Sequence, residues 1–261
     1  MRIRSIFQLT IAVAAVSLAA GCVTTPRTET LVAEAASQDC VVLIHGVNRS
    51  WRAMRPMARA LQYGGFNTVN VDYPSRSGTV DKIAPMAVGN GLAQCRAMGA
   101  QTIHFVTHSI GGILVRFEQE RAPIPELGRV VMLAPPNQGS EIVDKTRFLP
   151  GAGLVGGKAL LQLGTRDEDV PAQLGAVDYE VGVIAGTGTI NPWMSAMLPN
   201  PDDGKVSVER TRVDGMADFL IVEDNHRFIV EDELVIRNTL HFLSTGAFSP
   251  DDKGGRYEGL Y

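Results

Sequence analysis

The sequence predicts an α/β fold, with one mostly parallel sheet of about six strands and helices on both faces. Three observations carry that prediction. Apolar runs of strand length recur along the chain, and glycine or proline ends several of them. Stretches with helical spacing of apolar residues lie between the runs. Residues able to do chemistry gather just after the runs, at the carboxyl ends of the expected strands, where ligands sit in such sheets.

The first run is "CVVLIHG" (Cys40–Gly46). It is apolar without alternation, as a strand buried on both faces should be. "WRAMRPMARALQYGG" follows with Trp51, Met54, Met57, Ala58 and Leu61 on one helical face, and Gly64 and Gly65 stop it. "FNTVNVDYP" (Phe66–Pro74) is the second strand. A helix is expected from about Val80 to Met98, although Pro85 and Gly89 weaken it. "TIHFVTH" (Thr102–His108) is the third strand and "IGGILVRFEQER" (Ile110–Arg121) its helix. "GRVVMLAPP" (Gly128–Pro136), "YEVGVIAGT" (Tyr179–Thr187) and "DFLIVED" (Asp218–Asp224) supply the fourth, fifth and sixth strands. "EDELVIRNTLHFLSTG" (Glu231–Gly246) closes the fold as an amphipathic helix.

One domain is expected over residues 40–246, since 261 residues at 45% hydrophobic content suffice for a single sizeable core. Residues 1–21 read as a signal peptide, with Arg2 and Arg4, an apolar run from Ile6 to Ala20, and small residues before Cys22. "LAAGC" resembles a bacterial lipobox, which implies lipidation of Cys22, and the absence of aspartate at Val23 resembles outer-membrane sorting. The expected location is the outer membrane of a Gram-negative bacterium, on its periplasmic side, held by an N-terminal lipid anchor. Residues 22–39 read as a polar tether and residues 247–261 as a loose tail. An exported chain meets an oxidising compartment, so Cys40 and Cys95 are expected either as a disulfide or as two buried thiols. The net charge of −4, without a basic run, argues against a nucleic-acid partner. The five histidines are scattered and no CxxC pair occurs, so neither a metal nor a cofactor is expected.

The densest signal is Thr107-His108-Ser109-Ile110-Gly111-Gly112, where the third strand turns into its helix. A serine on such a turn is held in strained backbone with its hydroxyl above the sheet, and the helix N-terminus favours a developing anion. The pattern resembles the G-x-S-x-G elbow of the α/β-hydrolase family, in its lipase and esterase branch, with Thr107 in place of the first glycine. His45-Gly46 at the end of the first strand resembles that family's oxyanion loop. The resemblance implies an α/β-hydrolase fold without a large cap, Ser109 as nucleophile, and the N–H groups of Val47 and Ile110 as oxyanion donors. It also implies the order serine, acid, histidine. His226, in a loop after the sixth strand, fits the base; His241 lies among core-spaced residues of the last helix. Asp203 fits the acid, with Asp202 next and Asp144, Glu223 and Asp224 as more distant rivals. "APPNQGSE" (Ala134–Glu141) resembles a loop beside the site in lipases.

These residues imply a serine esterase or lipase that works through an acyl-enzyme and takes an ester substrate, a lipid ester among the options. An acyltransferase or thioesterase would use the same residues. A non-catalytic binding module on the same fold is the alternative from another class.

Overall fold

A computed structural model of the chain describes residues 28–33 and 38–251. The expected signal peptide, Cys22 and the end of the tail lie outside the described residues. Seven strands form one sheet in the order β1-β3-β2-β4-β5-β6-β7. They are β1 (Glu29–Leu31), β2 (Asp39–Ile44), β3 (Asn67–Val71), β4 (Thr102–His108), β5 (Leu127–Leu133), β6 (Val181–Gly188) and β7 (Asp218–Asn225). All neighbours pair in parallel except β1, which runs antiparallel to β3.

The six expected strands are β2 to β7, and β1 is a seventh within the stretch read as a tether. It pairs through its backbone, Thr30 opposite Val69. Glu29 meets Arg55 at 3.2 Å, and the Ala33 N–H donates to Asn67 Oδ1 at 3.1 Å. Three residues on a sheet edge bury little, so no apolar pattern announced them. The tail boundary also moves. Phe248 is buried against Phe242 with ring centroids 5.0 Å apart, and its N–H donates to Asp218 Oδ2 at 2.7 Å.

The helices are α1 (Arg55–Tyr63), α2 (Val80–Ala97), α3 (Ile110–Arg121), α4 (Glu141–Thr146), α5 (Ala152–Leu160), α6 (Val170–Gln173), α7 (Pro192–Ser195), α8 (Val208–Thr211) and α9 (Glu233–Thr245). Strand residues alternate between two cores. Cys40, Val42, Ile44, Phe105 and Met132 face α2 and α3, where Ile83, Ala87, Ile113 and Leu114 meet them. Val41, Leu43, Val106, Val131 and Leu133 face α1 and α9, against Met57, Leu61, Val235 and Phe242. Two covered faces explain the unbroken apolar runs. Pro85 and Gly89 sit on the exposed side of α2, which runs through both. A disulfide joins Cys40 at the start of β2 to Cys95 near the end of α2. No helix among the described residues is long and apolar enough to cross a membrane.

Parallel pairing aligns the carboxyl ends. Ile44 lies opposite Thr107, so His45-Gly46 and His108-Ser109 leave the sheet side by side. β7 ends at Asn225 beside Gly188 of β6, which carries the next loops to the same edge. Between β5 and β6 there is no separate cap domain; α4 and α5 line the cavity at that edge as its cover, and α6 is tied behind them by the Val170 N–H donating to the Gln162 carbonyl.

Candidate active site

Ser109 joins β4 to α3 with φ 55° and ψ −124°, a strained conformation for a residue with a side chain. Its N–H donates to the Leu133 carbonyl at 2.9 Å, which ties the turn to β5. The turn is close-packed. A Cβ on Gly111 would stand 2.7 Å from the Ile44 carbonyl oxygen, and one on Gly112 would stand 3.2 Å from Met132 Sδ. Both glycines therefore let α3 approach the sheet. Thr107 is accommodated as a fully buried strand residue, and its Oγ1 has no hydrogen-bond partner among the described residues. Gly46 faces the same point: a Cβ there would stand 2.8 Å from His108 Nδ1 and 3.2 Å from Ser109 Cβ.

The loop after β7 brings in His226. Asn225 Oδ1 accepts from the N–H groups of Arg227 and Phe228 at 3.0 and 3.2 Å, which turns the chain and lifts His226 toward Ser109. His226 Nε2 lies 3.0 Å from Ser109 Oγ, and Nδ1 lies 2.6 Å from Asp203 Oδ2. With Nδ1–H donating to the carboxylate, Nε2 keeps a lone pair for the serine hydroxyl proton. The His226 N–H also donates to the Asp203 carbonyl at 3.0 Å.

Asp203 is anchored on its other oxygen. Oδ1 accepts from the N–H groups of Lys205 and Val206 at 2.9 and 2.8 Å, while the left-handed Gly204 (φ +88°) closes the turn. A Cβ on Gly186 in β6 would stand 3.1 Å from Asp203 Cβ, so that glycine makes room for the carboxylate. Asp202 points elsewhere. Its Oδ2 accepts from Ser195 Oγ and its Oδ1 from the Gly204 N–H, each at 2.7 Å. Asp144 binds Arg147 and Thr165, Asp224 caps the Asn225 N–H, and Glu223 is exposed.

The other histidines have separate tasks. His45 stacks on Tyr73 and lies 3.3 Å from Asp72. His104 Nδ1 accepts the Arg129 N–H at 2.8 Å, and His241 binds the Ala247 carbonyl at 2.8 Å. His108 stands between Thr107 and Ser109, at the variable position of the turn. Its Nε2–H donates to the His226 carbonyl at 2.9 Å, so it steadies the loop that carries His226. Burial, and then the neighbouring His226, hold His108 well below the usual histidine range, so it stays neutral.

The N–H groups of Val47 and Ile110 have no acceptor among the described residues. Ile110 opens α3 directly after Ser109, and Val47 lines the same cavity as Ser109. That cavity measures about 680 Å³, within the usual range for small-molecule sites. Its apolar wall comes from Ile142, Val143, Leu149, Leu160 and Leu163. An ionic clamp fixes this wall: Arg147 donates to Asp169 Oδ1 at 2.9 Å and to Asp144 Oδ1 and Asp169 Oδ2 at 2.6 Å each. Buried Arg116 of α3 donates to the carbonyls of Asn137 and Gly175, each at 2.9 Å. Ser140 Oγ donates to the Lys205 carbonyl at 2.7 Å, so "APPNQGSE" braces the loop that holds Asp203. Those braces join residues far apart in sequence, and no local pattern marks them. Among the described residues no three potential metal ligands gather.

The chain matches the family model described as "Alpha/beta hydrolase family" over residues 41–231. No curated protein sequence matches it significantly. Several solved structures share its fold. The mature form of Bacillus licheniformis lipase BlEst2 is 17% identical, with a TM-score of 0.68 over 83% of this chain and 98% of that one. Phospholipase PlaB from Legionella pneumophila is 19% identical, with a TM-score of 0.60 over 81% of this chain and 57% of that one. Paleococcus ferrophilus monoacylglycerol lipase is 16% identical, with a TM-score of 0.57 over 85% and 99%. Identities this low speak for the fold alone. The family match covers most of the sequence and includes both turns that meet at Ser109 and His226, and on that ground the chain belongs to the alpha/beta hydrolase family.

Proposed function

We propose that the chain is a serine hydrolase that cleaves carboxylic esters through an acyl-enzyme. One observation carries the reading: a single imidazole lies 3.0 Å from Ser109 Oγ on one nitrogen and 2.6 Å from the Asp203 carboxylate on the other. His226 takes the serine proton as Oγ attacks the ester carbonyl. Asp203 holds the ring in the tautomer that can do so and stabilises the imidazolium that forms. The N–H groups of Val47 and Ile110 receive the oxyanion. His226 then protonates the leaving alcohol, and it activates the water that frees the acid.

The apolar cavity wall supports an acyl chain as the bound part. Phe148, Leu149 and Leu154 are exposed on the segment between β5 and β6, with Ile190 and Trp193 exposed beyond β6. Such a rim suits an ester presented by lipid. The three lipolytic neighbours, named as a lipase, a phospholipase and a monoacylglycerol lipase, point the same way. A lipid anchor on Cys22 at the periplasmic side of an outer membrane belongs to this reading, with membrane lipid as the substrate source. The mass of the mature N-terminus tests it; a chain that starts beyond Cys22 or lacks acyl groups refutes the anchor.

A fluorophosphonate probe tests the enzyme itself. It should label the wild type, and Ser109→Ala should abolish labelling and lower ester hydrolysis by at least about 10³-fold. An unlabelled wild type would favour a binding module. Esters of graded chain length, assayed with and without an alcohol acceptor, would fix the acyl specificity and separate hydrolysis from transfer.

A further inference from the structure

A second cleft adjoins the catalytic cavity, and its chemistry differs. It is lined by Arg49, Tyr73, Ser75, Arg76 and Ser77, with Asn48 and Arg49 lining both spaces. An ester whose carbonyl sits at Ser109 has two ends. The apolar wall suits the acyl end, which leaves the alcohol end to run past Arg49 into the polar cleft.

We propose that this cleft is a subsite for an anion on the alcohol part of the ester, so that preferred substrates are acyl esters carrying a phosphate group. The inference rests on the ester-hydrolase reading. Two arginines line the cleft and no carboxylate does. Arg49 donates to the Arg227 carbonyl at 3.4 Å, and Arg76 donates to the Leu154 carbonyl. Neither guanidinium forms an ion pair among the described residues, so both keep N–H groups for a ligand. Arg227, next to His226 and also without an ion pair there, adds a third cation at the mouth of the catalytic cavity.

These cations gather in a chain whose net charge is −4, so composition does not account for them. Burial, and then the like charge of Arg227, hold the Arg49 guanidinium below its usual range, while Glu231 acts in the opposite direction. A bound phosphate would relieve the repulsion and accept paired N–H groups from either arginine. The loop is also set firmly. A Cβ on Gly157, where α5 breaks with φ +76°, would stand 2.6 Å from the Arg76 backbone, so α5 buttresses Arg76 directly.

Binding is measured first on Ser109→Ala, which needs no turnover. A 1-acylglycerol 3-phosphate and the neutral 1-acylglycerol of the same chain length are titrated separately, beside inorganic phosphate and glycerol 3-phosphate. The phosphorylated ester should bind about 10- to 100-fold more tightly than the neutral one. Adding Arg76→Ala or Arg49→Ala should remove most of that ratio, Arg76→Lys should keep part of it, and raised salt should shrink it. Equal affinity for the two esters overturns the proposal. So does inorganic phosphate binding as tightly as the acylated phosphate, since the site would then serve a free anion. Wild-type turnover separates the two readings. Equal kcat/KM on both esters leaves the hydrolase standing and sinks the subsite. Charge-dependent binding to a wild type that neither hydrolyses an ester nor takes the fluorophosphonate leaves an anion-binding cleft but sinks the hydrolase, and with it the cleft's role as a substrate subsite.

Discussion

At the scale of single residues, the neighbouring carboxylates Asp202 and Asp203 separate by what holds them. Asp203 gives one oxygen to two backbone N–H groups and the other to His226; Asp202 spends both oxygens on its own loop. On the proposed roles, Asp203→Asn should lower kcat by about 10³- to 10⁴-fold, because the amide no longer enforces the needed tautomer. Asp202→Asn should cost about 1 kcal/mol of stability through weakened loop bonds and change kcat less than about tenfold. Steady-state kinetics beside urea titrations check both, and a kcat loss shared equally by the two variants would refute the assignment. That Ser109 and His226 would lie together, with Asp203 rather than Asp202 beside the histidine, was legible in sequence. The bond from His108 to the His226 carbonyl was not, because its acceptor is a backbone carbonyl, which every residue carries and no side-chain pattern marks.

At the scale of elements, the strands that carry the site were the easiest to read. Burial on both faces removes alternation, and glycine or proline marks where several of them end. β1 was illegible because an edge strand pairs through its backbone and buries little. The cover formed by α4 and α5, with α6 behind it, gave only a glycine-rich, irregular pattern. Its order depends on the Arg147 clamp, whose partners Asp144 and Asp169 flank it at unequal distances in sequence. The cysteine pair stood undecided between disulfide and free thiols, since spacing does not reveal proximity, and the fold places the two Cα atoms 5.8 Å apart. That bond ties β2, which leads into the His45-Gly46 turn, to α2. Reducing it should lower stability by about 2–4 kcal/mol. The corresponding drop in Tm is about 5–15 °C. Thermal unfolding with and without reductant measures this, and an unchanged midpoint after verified reduction would refute it.

At the scale of the whole molecule, two cores enclose a sheet whose loops gather at one edge, and three histidines are buried around that sheet. His45, His104 and His108 are all held below the ordinary histidine value, in each case by burial first. Asp72 opposes the shift at His45 and Asp39 at His104, and neither reverses its direction. An unfolded histidine takes up a proton as pH falls through about 6.5, while these three stay neutral in the folded chain to lower pH. In that interval the unfolded state binds more protons, so stability rises with pH and is lost on acidification. Each histidine still neutral in the folded state at about pH 5.5 should remove up to about 1.4 kcal/mol relative to pH 7.5. Urea midpoints at the two pH values measure the sum. His104→Gln, whose carbonyl can still accept the Arg129 N–H, should unfold with a shallower pH dependence than the wild type. A wild type equally stable at both pH values would show that burial of these rings is not what sets its response to acid.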